Sequence, residues 1–208
     1  SNGNFSYFAP ACGFDHVYSA IDICDSDAPR SWVGVYDHIF LNKTAEIITQ
    51  RTSDVPQFHF IYTTSNHGPY KMPLHELGFD GEKIMKVGQD VLNEKIIPKV
   101  LGTFWYSDRA INQFIQTMKK FYPDSLFIVT GDHGFQCSEL QHTSFMKREY
   151  TFRELHSPVL MFHHPELDKK SLAGNYIGGH MNILPTIFEL IAPAGFTYYS
   201  LFHSLTTP

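Results

Sequence analysis

The sequence lacks an apolar run that approaches the roughly 20 residues needed to cross a bilayer, and it lacks a signal peptide. It has no basic stripe, and its net charge of −5 gives no support for nucleic-acid binding. Its three cysteines, Cys12, Cys24 and Cys137, fit neither a zinc knuckle nor a CxxC redox motif. Cys12 and Cys24 can pair outside the cytosol, but we expect buried free thiols.

The composition is that of a soluble globular protein. Hydrophobic residues make up 43% of the 208-residue chain, charged residues make up 18%, and phenylalanine and tyrosine are plentiful. This length suits a single domain over residues 1–208 with a sizeable core. The chain starts Ser-Asn-Gly without a methionine, so we expect it to be an excised segment of a longer protein.

One short apolar stretch ends in residues that carry chemistry. Residues 126–130 (Leu-Phe-Ile-Val-Thr) are too few for a helix and suit a buried strand. Asp132 and His133 follow between two glycines, at the strand end where α/β sheets bind ligands. A carboxylate oxygen and an imidazole nitrogen suit a divalent cation such as zinc or manganese. The alternative is a strand-end turn in which the aspartate caps the next segment and the histidine is merely exposed.

The remaining pattern predicts an α/β layer with a mainly parallel sheet. We predict helices over 37–50, 83–97 and 103–121, a helix capped by Asn182, and strands over 57–63, 126–130 and 158–162. The helix from about 104 to 121 is the clearest, because its apolar residues recur at helical spacing and Pro123 stops it. We expect it to pack on the sheet through Ile111, Phe114, Ile115 and Met118.

Three histidines stand beside glycine or proline at predicted strand or helix ends: His67, His133 and His180. A single loop histidine usually has no function. Three such turns in one α/β chain, one of them with Asp132, predict a pocket at one sheet edge that holds a cation with an anion beside it.

Five stretches carry a resemblance that extends over about residues 57–191: Thr64-Ser-Asn-His-Gly-Pro-Tyr70, Tyr106-x-Asp108, Phe127-Ile-Val-Thr-Gly-Asp-His-Gly134, Ser157-Pro-Val-Leu-Met-Phe162 and His180-Met-Asn-Ile-Leu-Pro-Thr-Ile187. In this order they resemble the sulfatase family of the alkaline phosphatase-like superfamily. The nearest branch contains the membrane-anchored lipoteichoic acid synthases and phosphoethanolamine transferases. The resemblance implies an α/β, three-layer alkaline phosphatase-like sandwich, truncated at its amino-terminal side.

The resemblance also implies roles for individual residues. Asp132 and His133 resemble two ligands of one divalent cation, which is manganese, zinc, magnesium or calcium. His67 resembles the histidine that contacts the phosphate or sulfate group, and His180 resembles a histidine that lines the same pocket. His142 is a further candidate ligand, as in the phosphoethanolamine transferases.

The family's nucleophile and its first acidic metal ligand have no counterpart here. The sequence contains no Cys/Ser-x-Pro-x-Arg motif, and no serine or threonine stands before a matching helix. We therefore expect the carboxyl-proximal part of a catalytic domain, with no catalytic nucleophile and with a cation that is weakly bound or absent. If the chain itself turns over substrate, Thr63, Thr64 and Ser65 are the first candidates for the nucleophile.

The implied function is transfer or hydrolysis of a sulfate or phosphate ester, including phosphoglycerol or phosphoethanolamine transfer, on a lipid- or glycan-linked substrate. The Asp-His pair, where many sulfatases have Asp-Asn, favours phosphorus. The longer protein is expected at the extracytoplasmic face of a bacterial membrane, through an anchor outside this sequence. The alternative is a non-catalytic module that binds a partner or glycan. A calcineurin-like phosphatase is disfavoured, because its Asp-x-His and Gly-Asn-His-Glu motifs do not occur.

Overall fold

The structure of the chain is a computed structural model that describes residues 4–51, 53–82, 96–134, 148–168, 172 and 177–206. The predicted helix over 83–97, except its last two residues, lies outside the described residues, as do His142 and Cys137. None of the described helices combines the length and the apolar character needed to cross a membrane.

Six α-helices and two strands lie entirely within the described residues. The helices are α1 (Phe5–Ala11), α2 (Ala20–Ile23), α3 (Asp37–Gln50), α4 (Ile96–Phe121), α5 (Phe152–His156) and α6 (Ile183–Ile191). The strands β1 (Phe127–Thr130) and β2 (Leu160–His163) pair in a two-stranded sheet. The predicted helix over 37–50 and the predicted strands over 126–130 and 158–162 are confirmed, the strands with shifts of one or two residues at their ends. The helix predicted over 103–121 is confirmed too, but it begins seven residues earlier, at Ile96, and runs through Pro98, where the preceding helix was expected to end.

The contacts within the chain divide it into two compact units. The first comprises Ser1–Ser125 and Val129–Leu160, and the second comprises Leu126–Ile128 and Met161–Pro208. The boundary passes through both strands. The single domain expected from the sequence stays a prediction.

The first unit has its core between two helices. Helix α3 buries Leu41, Ala45 and Ile48, and helix α4 buries Ile115 and Met118. Helix α3 is the main packing partner of α4 among the described elements. The stripe on α4 was expected to pack on the sheet, and this part of the prediction is wrong for the described residues. A stripe shows which face of a helix is buried, but it does not identify the element that covers the face.

The predicted strand over 57–63 does not form as a strand. These residues have no regular secondary structure, and Phe58 and Phe60 remain 63% and 65% exposed. Their rings instead lie against Phe14, with centroids 5.9 and 6.4 Å away. A strand requires a partner for its hydrogen-bond ladder, and the described residues provide none along this segment.

The second unit is built around α6, which a short 3-10 turn (His180–Asn182) precedes. Asn182 lies directly before α6 as predicted, but its side chain does not cap that helix. Because its own backbone is already helical, its amide reaches other partners: Oδ1 accepts from Gly179 N at 2.8 Å, and Nδ2 donates to His203 O at 2.8 Å. The predicted capping role is therefore wrong.

Cys12 and Cys24 are both free thiols, as the sequence analysis favoured. They are not both buried, because Cys12 is exposed and Cys24 is only half-buried. Burial, reinforced by the charge of Asp25, raises the pKa of the Cys24 thiol.

Candidate functional site

The Asp132 turn, defined as residues 130–134, follows directly from β1. The two carboxylate oxygens of Asp132 each accept one hydrogen bond. Oδ1 accepts from the backbone N–H of His133 at 3.0 Å, and Oδ2 accepts from the Tyr62 hydroxyl at 3.1 Å. The side chains of His133 and Asp132 are 62% and 58% exposed, so both remain open to a ligand.

His133 has a defined tautomer. Its Nδ1 lies 2.8 Å from the carbonyl oxygen of Gly134. Because a carbonyl oxygen only accepts, Nδ1 must carry the proton, and the neutral ring then presents a lone pair at Nε2. A metal-binding histidine has this arrangement, with one nitrogen bonded to the backbone and the other toward the ion.

The spacing of this pair fits a shared cation. Nε2 of His133 lies 3.8 Å from Oδ1 of Asp132. Two ligands each about 2.1 Å from a tetrahedral ion lie roughly 3.4 Å apart, so a small adjustment would let both atoms bind one ion. Among the described residues, no group of three or more His, Cys, Asp or Glu side chains gathers as a complete metal site. Asp132 and His133 therefore fit two positions of a coordination sphere.

Two glycines allow the Asp132 turn to lie close to its neighbours. A Cβ at Gly134 would be 2.1 Å from the carbonyl oxygen of Leu155, which no side chain tolerates. A Cβ at Gly131 would be 3.2 Å from the Cβ of Pro158. Both contacts fix the path of the turn against the segment from α5 to β2, which explains glycine at these two positions.

The His67 turn, defined as residues 64–70, presents its histidine in the same way. Nδ1 of His67 lies 2.8 Å from the carbonyl oxygen of Gly68, so Nδ1 carries the proton and Nε2 is left for a ligand. The same oxygen accepts from the indole N–H of Trp32 at 3.0 Å. The rings of Trp32 and His67 meet edge to face, with centroids 5.3 Å apart.

His67 borders a pocket of about 560 Å³. Two cationic side chains, Arg30 and Lys71, also line it, together with Trp32, Ser65 and Pro69. The Arg30 side chain is fixed, because Nη2 donates to Ser26 O at 2.6 Å and Nε donates to Ala28 O at 3.1 Å. A pocket with two cations, an imidazole and an aromatic wall suits an anionic ligand.

A buried carboxylate stabilises the start of the His67 turn. Asp37, the first residue of α3, is 2% exposed, and its Oδ1 accepts from the backbone N–H groups of Thr64 and Ser65, both at 3.0 Å. In return, Ser65 Oγ accepts from the backbone N–H of Asp37 at 2.9 Å. Burial raises the pKa of Asp37, although the two amide hydrogen bonds oppose this.

The neighbouring residue His38 ties this network to α4. Its backbone N–H donates to the Tyr106 hydroxyl at 2.9 Å, and its Nδ1 lies 2.6 Å from the same oxygen. Burial raises the pKa of Tyr106 to about 12, so the phenol stays protonated and donates to Nδ1 of His38. Burial also lowers the pKa of His38, which favours the neutral imidazole, although the charge of Asp37 opposes this.

Three of the predicted site residues lie in the same unit, and one hydrogen bond links the segments that carry them. His67, Asp132 and His133 lie in the first unit, and Tyr62, which leads into the His67 turn, bonds Asp132 directly. His180 is exposed in the second unit, and its place in a shared pocket stays a prediction. His142 lies outside the described residues.

No role was predicted for four residues that shape these turns, Trp32, Asp37, Tyr62 and Tyr106, although Tyr106 stands in the Tyr106-x-Asp108 motif. Each acts through a hydrogen bond to a residue distant along the chain. Two signals were visible: the aspartate at the first position of a predicted helix and the tyrosine of that motif. The aspartate's partners at 64 and 65 could not be read from local spacing.

Comparison with known proteins gives one family and one solved structure. The family model described as Sulfatase matches residues 1–192. The chain is similar in structure to the crystal structure of the lipoteichoic acid synthase LtaP from Listeria monocytogenes, with a TM-score of 0.70 at 20% sequence identity. The match covers 90% of this chain and 46% of that one, so this chain spans less than half the length of that relative. No curated protein matches the chain in sequence.

Proposed function

The chain belongs to the sulfatase family, and we propose that it supplies part of the active site of an enzyme that transfers or hydrolyses sulfate or phosphate esters. The resemblance inferred from the motifs is confirmed, and so is the alkaline phosphatase-like α/β fold. The activity rests on one observation: two turns each present a histidine Nε2, one beside a carboxylate and one in a cationic pocket.

His67 is proposed to contact the ester group. Its proton on Nδ1 is held by Gly68 O, so Nε2 either accepts a hydrogen bond or, once protonated, donates one to an ester oxygen. Arg30 and Lys71 add positive charge around the same pocket. Together these groups would orient a tetrahedral anion and stabilise charge that develops on its oxygens.

Asp132 and His133 are proposed to hold a divalent cation through a carboxylate oxygen and Nε2. Tyr62 fixes the carboxylate, and Gly134 O fixes the ring. When bound, such a cation lowers the pKa of an attacking hydroxyl and neutralises charge on the ester oxygens. The residues that complete its coordination, and the nucleophile, are proposed to lie outside this chain.

We propose more specifically that the substrate is a phosphate ester on a lipid-linked molecule. The longer enzyme is proposed to act on it at the outer face of a bacterial membrane. The Asp-His pair supports phosphorus over sulfur, and the structural likeness to a lipoteichoic acid synthase supports a lipid-linked substrate. Phosphoglycerol and phosphoethanolamine are both candidate groups, and His180 is proposed to line the same pocket.

An aryl-ester assay on this chain and on the longer gene product tests the proposal. Aryl phosphate and aryl sulfate are each offered with manganese, zinc, magnesium or calcium. We expect little turnover by this chain alone and robust turnover of the phosphate by the longer protein. Asp132→Ala should abolish that turnover, and His67→Gln should lower it by about 100-fold, as the loss of one oxyanion donor does.

Two exposed residues away from both turns serve as matched controls, Asp54→Ala and His75→Gln, which should leave turnover unchanged. If the longer protein turns over neither ester while binding a glycan or protein partner, the non-catalytic alternative holds. If this chain alone shows turnover that Asp132→Ala removes, the nucleophile lies within it, with Thr63, Thr64 and Ser65 the first to substitute.

A further inference from the structure

The segment 30–37 contacts the His67 turn at three successive points. Trp32 donates its indole N–H to Gly68 O at 3.0 Å. Gly34 lies so close to Thr64 that a Cβ there would be 2.8 Å from its hydroxyl oxygen. Asp37 accepts from the amides of Thr64 and Ser65. The contacts therefore bracket His67 on both sides along the chain.

The contact after His67 acts on the ring itself. Gly68 O accepts two hydrogen bonds, one from Trp32 and one from Nδ1 of His67. Since the indole N–H only donates, it fixes the position of the carbonyl that in turn fixes the proton of His67 on Nδ1. The edge-to-face contact between the two rings, with centroids 5.3 Å apart, adds a second interaction that favours the observed orientation of the imidazole.

The contact before His67 acts on the backbone. Asp37 is 2% exposed, so each amide that it accepts is held in a site with little competing water. Helix α3 begins at Asp37, and the next residue bonds Tyr106, which is 3% exposed in a cluster with Leu74 and Phe79. The start of the His67 turn is thereby anchored in the packed core of the first unit.

We infer that Trp32 and Asp37 are positioning residues for His67: they hold its backbone and its tautomer so that Nε2 is presented to the pocket. The inference rests on the proposed contact of His67 with the ester group. Trp32 also lines the pocket, but the role inferred for it, like that of Asp37, is exerted on His67 and not on the ester group. Both act through the His67 turn, Trp32 through Gly68 O and Asp37 through the amides of Thr64 and Ser65.

Ring-nitrogen NMR of the chain labelled with 15N-histidine tests the inference without activity. The wild type should show His67 with its proton on Nδ1. Trp32→Phe keeps an aromatic ring but removes the donor to Gly68 O, and it should give a mixture of tautomers. Asp37→Ala should do the same, whereas Asp37→Asn, which keeps an acceptor oxygen, should restore the wild-type spectrum. Trp32 is 68% exposed, so Trp32→Phe gives a result even if Asp37→Ala does not fold.

Binding of inorganic phosphate to the same variants links the tautomer to the pocket. Trp32→Phe should weaken phosphate binding about five-fold, the size of one lost hydrogen bond, and this effect should vanish in a His67→Ala background. Unchanged His67 tautomers in Trp32→Phe and Asp37→Ala would overturn the inference. If His67→Ala leaves phosphate binding unchanged, the proposed ester contact fails, while the NMR spectra still decide the positioning role.

Discussion

The His67 turn and the Asp132 turn present their histidines alike but are supported differently. In both, Nδ1 bonds the carbonyl of the following glycine and leaves Nε2 for a ligand. The His67 turn is fixed by the buried Asp37, whereas Asp132 is 58% exposed, and among the described residues Tyr62 is the one side chain that donates a hydrogen bond to it. The first turn is thus stabilised by the core of this chain, whereas the second leaves its carboxylate and imidazole exposed.

The largest expected difference between the turns is in stability. Asp37→Ala leaves two amides without their acceptor, and we expect a loss of about 2–4 kcal/mol in the free energy of unfolding. Asp132→Ala removes an exposed carboxylate and should change it by less than about 0.5 kcal/mol. Urea denaturation of both variants gives the comparison. Equal losses would show that the two turns are supported to the same degree.

The second-largest expected loss of stability comes from the close approach of Gly134 to α5. Gly134→Ala places a Cβ 2.1 Å from Leu155 O, and because that atom is backbone, the turn must move. We expect a loss of about 1–3 kcal/mol, measured by thermal unfolding. Gly179→Ala is the matched control, since a Cβ there meets nothing within 4 Å. A stable Gly134→Ala variant would mean that the turn is free to shift away from α5.

The smallest expected effect is on the pH dependence of stability, through His38. Burial lowers the pKa of His38 in the folded chain, so folding favours its neutral form. The associated stability is present above the unfolded pKa of about 6.5 and is lost as pH falls below it. Melting temperature should therefore fall more steeply between about pH 7 and pH 5 in the wild type than in His38→Gln. Parallel curves would contradict this.

Local sequence patterns correctly predicted those helices and strands whose formation depends mainly on residues close together in the chain. The helix over 37–50 and the strand after residue 126 were found because apolar spacing and a short β-branched run act locally. The segment 57–63 has the same strand-like composition, yet it forms no strand, because a ladder depends on a partner that composition does not specify.

In the candidate site, too, residues adjacent in the sequence could be predicted and partners distant in the sequence could not. The adjacent Asp132 and His133 could be recognised as candidate ligands at once, because both come from one turn. The supporting residues could not: Tyr62 bonds Asp132, and Asp37 bonds the amides of Thr64 and Ser65, over long stretches of chain. For Asn182 the position was predicted correctly but the side-chain partner was not. Its place before a helix was correct, but a distant carbonyl at His203 takes its amide.

A manganese titration of the chain, followed by NMR of the histidine ring nitrogens, tests the proposed cation site most directly. We predict weak binding, since two protein ligands leave most of the coordination sphere to water. Paramagnetic broadening should reach His133 first, spare His75, and disappear in Asp132→Ala while remaining in Asp54→Ala. Broadening that begins at another histidine, or that persists unchanged in Asp132→Ala, would contradict the assignment of Asp132 and His133 as the cation ligands.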